Sequence, residues 1–237
     1  SQDSEADTAK YLLAFKSIKL YKTDLSGLAD SLLYNYSDSS IQLFQKPVLW
    51  NQKSQISADS MVFYIANENL DRVRMKDKAF AIMTDTLFNF NQMKGRQMDG
   101  KFVEGQIHTL EVVGNAESLY YALEADTVNQ GINKILSASI KMDFEEGAVR
   151  RANFSVRPDG KFTPVQLITE ENSRLEGFQW RIEEKPTKET IDAWRKVEEI
   201  DSKQKNLFNE PDVKLLMPTG EEIQNQLKKS GLVTAKQ

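Results

Sequence analysis

The 237-residue chain has no cysteine and a single histidine, His108. Without cysteine it can form no disulfide bond, no thiolate nucleophile and no cysteine-ligated metal site. With so few nitrogen and sulfur ligands, the composition predicts neither a zinc site nor a histidine-based catalytic triad, and leaves only carboxylate chemistry. His108 lies in the strand-like segment IHTLEVV, and we interpret it as a strand-face residue.

Long apolar runs and an excess of one charge are also missing. No segment approaches the roughly 20 apolar residues of a membrane-spanning helix. The chain has 31 basic and 35 acidic residues, a net charge of −4. No basic face alternates with aromatic residues, so we expect no nucleic-acid partner. The start SQDSEADTAK has neither the basic nor the apolar region of a signal peptide, which predicts a cytosolic protein or a processed portion of a secreted one.

Short segments in which apolar and polar residues alternate dominate the chain from about residue 16 to 162. Alternation with a period of two is typical of β-strands that bury one face. Turn residues separate these segments, and no helical pattern lies between them, so we predict an antiparallel all-β body. The predicted strands include 57–65, 70–76, 79–84, 107–113, 117–123, 135–144 and 148–156.

The pattern changes after Pro186. Ile191, Trp194 and Val197 have helical spacing, and Thr187 is a suitable N-cap. The segment PTGEEIQNQLKKSG predicts a second helix with a capping box and a terminal glycine. We therefore divide the chain into a disordered segment 1–10, a β-domain 11–186 and a helical extension 187–237.

Three Asp-Ser or Asp-Thr steps recur at Asp30, Asp59 and Asp85, each beside a strand-like run. The three aspartates are 29 and 26 residues apart. A repeat of this length indicates stacked units that cover one another's apolar faces. The aspartates could form a ladder of metal ligands, but no second carboxylate accompanies each one, so we expect them to cap turns or begin strands. The four glycines Gly95, Gly100, Gly105 and Gly114 match no phosphate-binding loop, and we expect hairpin turns there.

Several phrases, taken in order, resemble the OstA-like or LptA-type family of lipopolysaccharide transport proteins, in particular its longer branch. The resemblance extends over roughly residues 15–188. The phrases that carry it are ADSLLYNYSDSSIQLFQKPVLW (29–50), QISADSMVFY (55–64), FNQMKGRQMDGKF (90–102), VVGNAESLYY (112–121) and LEGFQW (175–180).

The resemblance implies a half-open antiparallel β-jellyroll, V-shaped in section, here followed by the C-terminal α-helices. It implies a non-enzymatic protein of the periplasm, in Gram-negative bacteria, with no cofactor and no catalytic or metal-binding residue. Its ligand would be lipopolysaccharide, held by the lipid A acyl chains. Its protein partners would be other Lpt-type jellyroll proteins or further copies of itself, joined by edge-strand pairing. A signal peptide or another N-terminal portion would then be absent from this chain.

Apolar rows that follow the strands are the candidate lipid-binding trough. They comprise Leu32, Tyr34, Met61, Phe63, Ile65, Val73, Met75, Phe80, Ile82, Phe88, Leu110, Val112, Leu119, Tyr121, Ile140, Met142 and Phe144. The same rows could instead form the closed core of an ordinary β-sandwich. Basic residues near the strand ends, including Arg72 and Arg74, could meet lipid phosphates or only solubilise the surface.

Two other functions are compatible with the sequence. The first is a structural or assembly module of outer-membrane biogenesis that binds proteins through edge strands or helices and contacts no lipid. The second is a glycan hydrolase with two carboxylates, for example at Glu145–Glu146 or Glu170–Glu171. Neighbouring strand residues point to opposite faces, which disfavours the hydrolase.

Overall fold

A computed structural model describes residues 11–22, 25–51, 53–67, 69–104, 106–146 and 148–193. These residues form one antiparallel sheet of twelve strands. The strands are β1 (Tyr11–Lys22), β2 (Leu25–Asn35), β3 (Ser40–Phe44), β4 (Val48–Asn51), β5 (Ser54–Ser57), β6 (Ser60–Ala66), β7 (Asn69–Thr84), β8 (Phe90–Val103), β9 (Gln106–Glu124), β10 (Val128–Glu145), β11 (Ala148–Ser155) and β12 (Asp159–Pro164). The predicted all-β class is confirmed.

The long strands are bent in the middle, and the bends lie side by side across the sheet. Register shifts occur in β1 between Phe15 and Ile18, in β7 between Lys76 and Ala79, in β8 between Lys94 and Gln97, and in β10 between Ser137 and Ser139. Such shifts mark β-bulges, which bend a strand and increase its twist. We call this row of irregularities the bend.

The bend divides the sheet into two half-sheets. β2 and β7 both pair on one side with two short strands, β2 with β3 and β4, and β7 with β6 and β5. β10 likewise pairs with β11 along one half and with β12 along the other. Half-sheet A contains β3, β6 and β11, half-sheet B contains β4, β5 and β12, and the long strands β1, β2, β7, β8, β9 and β10 run through both.

Left-handed backbone conformations produce the bends. Consecutive residues with positive φ occur at Lys16–Ser17, Gln45–Lys46, Asp77–Lys78, Gly114–Asn115 and Val156–Arg157. Backbone hydrogen bonds nevertheless continue across them, from Lys46 N to Asp59 O at 3.2 Å and from Asp59 N to Asp77 O at 2.9 Å. The sheet therefore remains hydrogen-bonded as it turns from one half to the other.

Several sequence expectations change at the bend. Segments 70–76 and 79–84 were predicted as two strands, as were 107–113 and 117–123, yet each pair is a single bent strand. Gly95 and Gly100 lie inside β8 and Gly114 inside β9, not in hairpin turns. A Cβ on Gly95 would meet Val112 Cγ1 at 2.5 Å, so glycine allows close packing there. Gly105 lies outside the described residues.

The ends of the sheet are not joined to each other within the described ranges. β1 pairs with β2 alone, and β11 and β12 each pair with β10 alone. The sheet therefore presents an edge strand at both ends. In the same ranges, no helix is long and apolar enough to cross a membrane.

A short helix begins at residue 188 and is described as far as residue 193. Thr187 caps it as predicted, because its Oγ1 accepts a hydrogen bond from Thr190 N at 3.3 Å. Thr190 Oγ1 in turn accepts one from Thr187 N at 2.9 Å, a reciprocal arrangement like a capping box. The predicted second helix and the predicted disordered segment 1–10 lie outside the described residues. By contacts the chain divides into Ser1–Ile191 and Asp192–Gln237, and the predicted boundaries at residues 10 and 186 stay predictions.

Candidate functional site

An apolar cluster fills the space between the two half-sheets, and we call it the interior cluster. Its buried members are Ala29, Leu43, Leu49, Ala58, Met61, Phe63, Val73, Met75, Ala79, Met98, Val112, Ala116 and Ile140. Partly buried residues of both halves pack against it, among them Ile18 and Ile56 of half B and Leu110 and Met142 of half A. Side chains from both halves thus share one apolar region.

Cross-strand rows in half-sheet A build the largest part of this cluster. Met75 lies opposite Met98, which lies opposite Val112, and Val112 lies opposite Ile140. Phe154 of β11 continues the row opposite Ile140 and is only partly buried. Such directly opposed side chains are in contact range and stabilise a sheet. The row therefore forms a continuous apolar strip across five strands.

Side-chain size in the interior cluster changes with distance from the bend. Buried alanines lie at or next to it: Ala29, Ala58, Ala79 and Ala116. Larger side chains such as Met61, Phe63 and Met98 lie farther out in half-sheet A. Small side chains are therefore found where the strands turn, and larger apolar side chains lie beyond the turn.

A second cluster covers the opposite face of half-sheet B, and we call it the outer cluster. It consists of Phe80, Ile82, Leu119, Tyr121, Ile132 and Leu175, with Phe90, Leu123, Ile168, Phe178 and Trp180 packed against them. The last part of the β-domain, residues 168–186, lies over this face and is named here the clasp. The ring of Phe90 lies 5.3 Å from that of Phe178 and 5.2 Å from that of Trp180, between centroids. Burial raises the pKa of the Tyr121 hydroxyl.

Buried polar side chains hold the clasp by its backbone. Gln92 Oε1 accepts a hydrogen bond from Leu175 N at 2.8 Å, and its Nε2 donates to Ser173 O at 2.8 Å. Gln55 Oε1 accepts from Arg181 N at 2.7 Å, and its Nε2 donates to Gln179 O at 2.6 Å. Both side chains are almost fully buried. The amide groups of Gln55 and Gln92 therefore satisfy backbone N–H and C=O groups of the clasp, as the backbone of a neighbouring strand would.

The predicted trough residues do not share one face. Met61, Phe63, Val73, Met75, Val112 and Ile140 are buried in the interior cluster, and Leu32, Leu110 and Met142 pack against it. Phe80, Ile82, Leu119 and Tyr121 belong to the outer cluster beneath the clasp. Phe88 is 81% exposed in the β7–β8 loop, and Tyr34, Ile65 and Phe144 are half-buried outside both buried cores. A role for any of them in lipid binding stays a prediction.

The recurring aspartates have three different environments. Asp85 caps the β7–β8 loop as predicted, since its Oδ1 accepts hydrogen bonds from Leu87 N at 2.8 Å and Asn89 N at 2.9 Å. Asp59 lies 3.3 Å from Lys78 Nζ just before β6. Asp30 lies within β2, opposite the irregular part of β1, and does not begin a strand. The three steps therefore mark three kinds of position, not three equivalent units.

Two of the basic residues considered for lipid phosphates, Arg72 and Arg74, are already bonded to a carboxylate. Arg72 Nε and Nη2 donate to Asp99 at 2.6 and 2.5 Å, and Arg74 Nε donates at 3.0 Å. His108 is an exposed residue of β9, in agreement with its interpretation as a strand-face side chain. In the parts of the chain that the structure describes, no three His, Cys, Asp or Glu side chains come together as a metal site.

Sequence reasoning missed the alanines at the bend and the glutamines beneath the clasp. Alanine and glutamine have no strong preference for the buried face of a strand, so the alternation of apolar and polar residues does not identify these positions. For Ala79, however, the sequence does contain a pattern that predicts burial. Ala79 and Ala81 alternate with Phe80 and Ile82, which is typical of a strand that is buried on both faces.

Solved structures that resemble this chain in fold include a periplasmic transport component. The chain matches LptH, the LptA-homologous periplasmic component of the lipopolysaccharide transport device of Pseudomonas aeruginosa, over 59% of this chain and 95% of that chain, with 11% identity and a TM-score of 0.45. No family model and no curated protein matches the sequence.

Proposed function

We propose that this chain is a non-enzymatic periplasmic protein that binds lipopolysaccharide and shelters its acyl chains between the two half-sheets, as part of a transport bridge to the outer membrane. In this proposal the half-sheets are the walls of a half-open, V-shaped jellyroll. The observation that carries it is the gradation of the interior cluster, from alanines at the bend to methionine and phenylalanine farther out. An apolar region to which both half-sheets contribute side chains suits acyl chains.

The apolar side chains that are only partly buried are the proposed entry for lipid. Phe102, Leu110, Met142 and Phe154 of half-sheet A pack against the interior cluster without being fully buried. Burial of each CH₂ group of an acyl chain contributes about 0.8 kcal/mol. Binding along such a surface therefore needs no catalytic group and no metal, and movement of the lipid would depend on energy supplied by another protein.

Edge-strand pairing is the proposed way in which copies of this chain, or other Lpt-type proteins, join into a bridge. Within the described residues, β1 pairs with one strand only, and so do β11 and β12 at the other end of the sheet. Exposed apolar side chains accompany both edges, including Leu12 and Phe15 on β1 and Val149 and Phe162 at the opposite end. Edges of this kind are normally protected unless pairing is their purpose.

A second candidate, the assembly module that contacts no lipid, is favoured by the packing of the interior. Met61, Met98 and Val112 have no exposed surface at all. A core that is already filled by its own side chains leaves no room for a bound lipid. In that case the function would be protein binding through the edge strands β1, β11 and β12.

Photo-crosslinking on one strand separates the two candidates. Leu110 and Leu119 are both leucines of β9, but Leu110 packs on the interior cluster and Leu119 lies beneath the clasp. With a photoreactive residue at each position in turn, and lipopolysaccharide added to the full chain, the proposal predicts adducts at Leu110 and at Phe63 and none at Leu119. Absence of adducts at Leu110 and Phe63 in a folded protein would favour the assembly module.

A further inference from the structure

An open cavity of about 310 Å³ lies on the outer side of half-sheet B, between β10, β12 and the clasp. Ile132 and Leu136 supply its apolar part. Three basic side chains line it as well, Lys134 from β10, Lys161 from β12 and Arg174 from the clasp. The remaining lining is polar or acidic: Asp159, Thr163, Glu171 and Asn172.

Two of the basic residues are placed directly against each other. Lys134 and Lys161 are register partners in the β10–β12 pair. Opposed residues in an antiparallel pair have Cβ atoms only about 5 Å apart, and like charges at that separation destabilise the pair. The arrangement is more favourable when an anion lies between the two ammonium groups.

The existing ion pairs leave much of this positive charge available. Lys134 Nζ lies 3.6 Å from Glu117, but the same carboxylate also lies 3.1 Å from Lys94 Nζ. Arg174 pairs at 3.1 Å with Glu170, whose side chain is 80% exposed. Among the described residues, the Lys161 side chain has no ion pair or hydrogen bond, and neither the Asp159 nor the Glu171 carboxylate pairs with any of the three cations.

We propose that this cavity binds a small phosphate-bearing ligand, with the phosphate held by Lys134, Lys161 and Arg174. Lysine and arginine both form strong charge-assisted hydrogen bonds to phosphate. Ile132 and Leu136 offer a contact surface for the organic part of the ligand. The site lies on the opposite face of half-sheet B from the interior cluster, so it goes beyond the proposed lipid trough and stands independently of it.

Titration calorimetry of the full chain with glycerol 3-phosphate tests binding of a free phosphate ester. Flotation with vesicles of phosphatidylglycerol, compared with vesicles of phosphatidylcholine alone, tests a lipid headgroup as the source. The variant is Lys161→Gln, which removes an exposed charge from an edge strand. Its matched control is Lys141→Gln, which removes an exposed charge from β10 on the other side of the bend.

The proposal expects saturable binding of the phosphate ester, or selective binding of the phosphatidylglycerol vesicles, that weakens with added salt. Loss of one charge-assisted hydrogen bond corresponds to an affinity about tenfold lower for Lys161→Gln, while Lys141→Gln should bind like the unmodified chain. No saturable binding in either assay would overturn the site, as would equal losses in both variants. Crosslinking at Leu110 should be unaffected by Lys161→Gln, so failure here is distinguishable from failure of the lipid trough.

Discussion

Asp99 is the most strongly bonded charged residue in the described part of half-sheet A. Burial alone would raise the pKa of its carboxyl group, but hydrogen bonds from Arg72 and Arg74 outweigh this and lower it. The same pairing raises the pKa of the Arg72 guanidinium. Asp99 thus links β7 to β8 on the face opposite the interior cluster, where it fixes two long side chains along the sheet.

Asp99→Asn should destabilise the protein at neutral pH and have no effect in strong acid. Because the folded-state pKa is lowered, the carboxylate stabilises the fold above its unfolded pKa of about 3.9 and loses this contribution as the pH falls through the folded value. Both arginines are partly exposed, so we expect a loss of about 1 kcal/mol at pH 7. Urea unfolding at several pH values measures it.

Glu104→Gln is the matched control, because Glu104 is an exposed carboxylate just after β8 and away from Asp99. It should change the free energy of unfolding little at any pH. A loss for Asp99→Asn that stays constant down to pH 2 would contradict the role given to the ionised carboxylate.

At the scale of secondary-structure elements, the clasp is the segment whose position depends on single side chains. Replacement of Gln92 by methionine keeps the length of the side chain but leaves Leu175 N and Ser173 O without their partner. An unsatisfied buried polar group costs about 1–3 kcal/mol. Gln92→Met should therefore lower the free energy of unfolding by that amount and make residues 168–186 more sensitive to limited proteolysis.

Gln97→Met on the same strand is the control, since Gln97 is exposed. It should leave both stability and cleavage of the clasp unchanged. If Gln92→Met and Gln97→Met behaved alike, the amide contacts of Gln92 would not be what holds the clasp.

The elements themselves follow well from local sequence. The Asp85 loop cap, the Thr187 helix cap and most of the shorter strand segments depend on neighbouring residues, and they were predictable for that reason, whereas the central strand β8 was not predicted. Which side chains of each strand face the interior cluster was not predictable from neighbouring residues. In β7 the inward series is Val73, Met75, Ala79 and Ala81, but the larger Phe80 and Ile82 dominate any count of apolar side chains.

The bend and the clasp could not be predicted because both depend on distant contacts. Positive φ at Asp77 and Lys78 has no clear signature in an Asp-Lys pair inside a strand-like run. Gln92 and Leu175 are 83 residues apart in the chain. The interior cluster was therefore only partly identified, and the outer cluster was assigned to the same face.

At the scale of the whole β-domain, β1 is an edge strand that pairs with β2 alone among the described residues. Leu12 and Phe15 are 52% and 57% exposed on it. If the edge serves for pairing, the double variant Leu12→Lys/Phe15→Lys should reduce association between copies, because charged lysines on an edge strand disfavour edge-to-edge contact. Sedimentation velocity over a range of protein concentrations measures the change.

Leu167→Lys is the control for a general loss of hydrophobic surface. Leu167 is 64% exposed but lies in a short 3-10 turn, Val165–Leu167, outside the sheet. Association that is equally reduced by this variant, or unchanged in the β1 variant, would contradict pairing through β1.

The bend also determines how the space between the half-sheets could change in width. Every long strand passes through both halves, and hydrogen bonds continue across the turn at Lys46, Asp59 and Asp77. No single loop can then act as a hinge, since a rotation at one strand must be matched by its neighbours. Widening of this space to bind a ligand would require all the long strands to change their backbone angles together, along the whole row of left-handed residues. A substitution that made one of these residues more rigid would therefore oppose the widening along the whole bend.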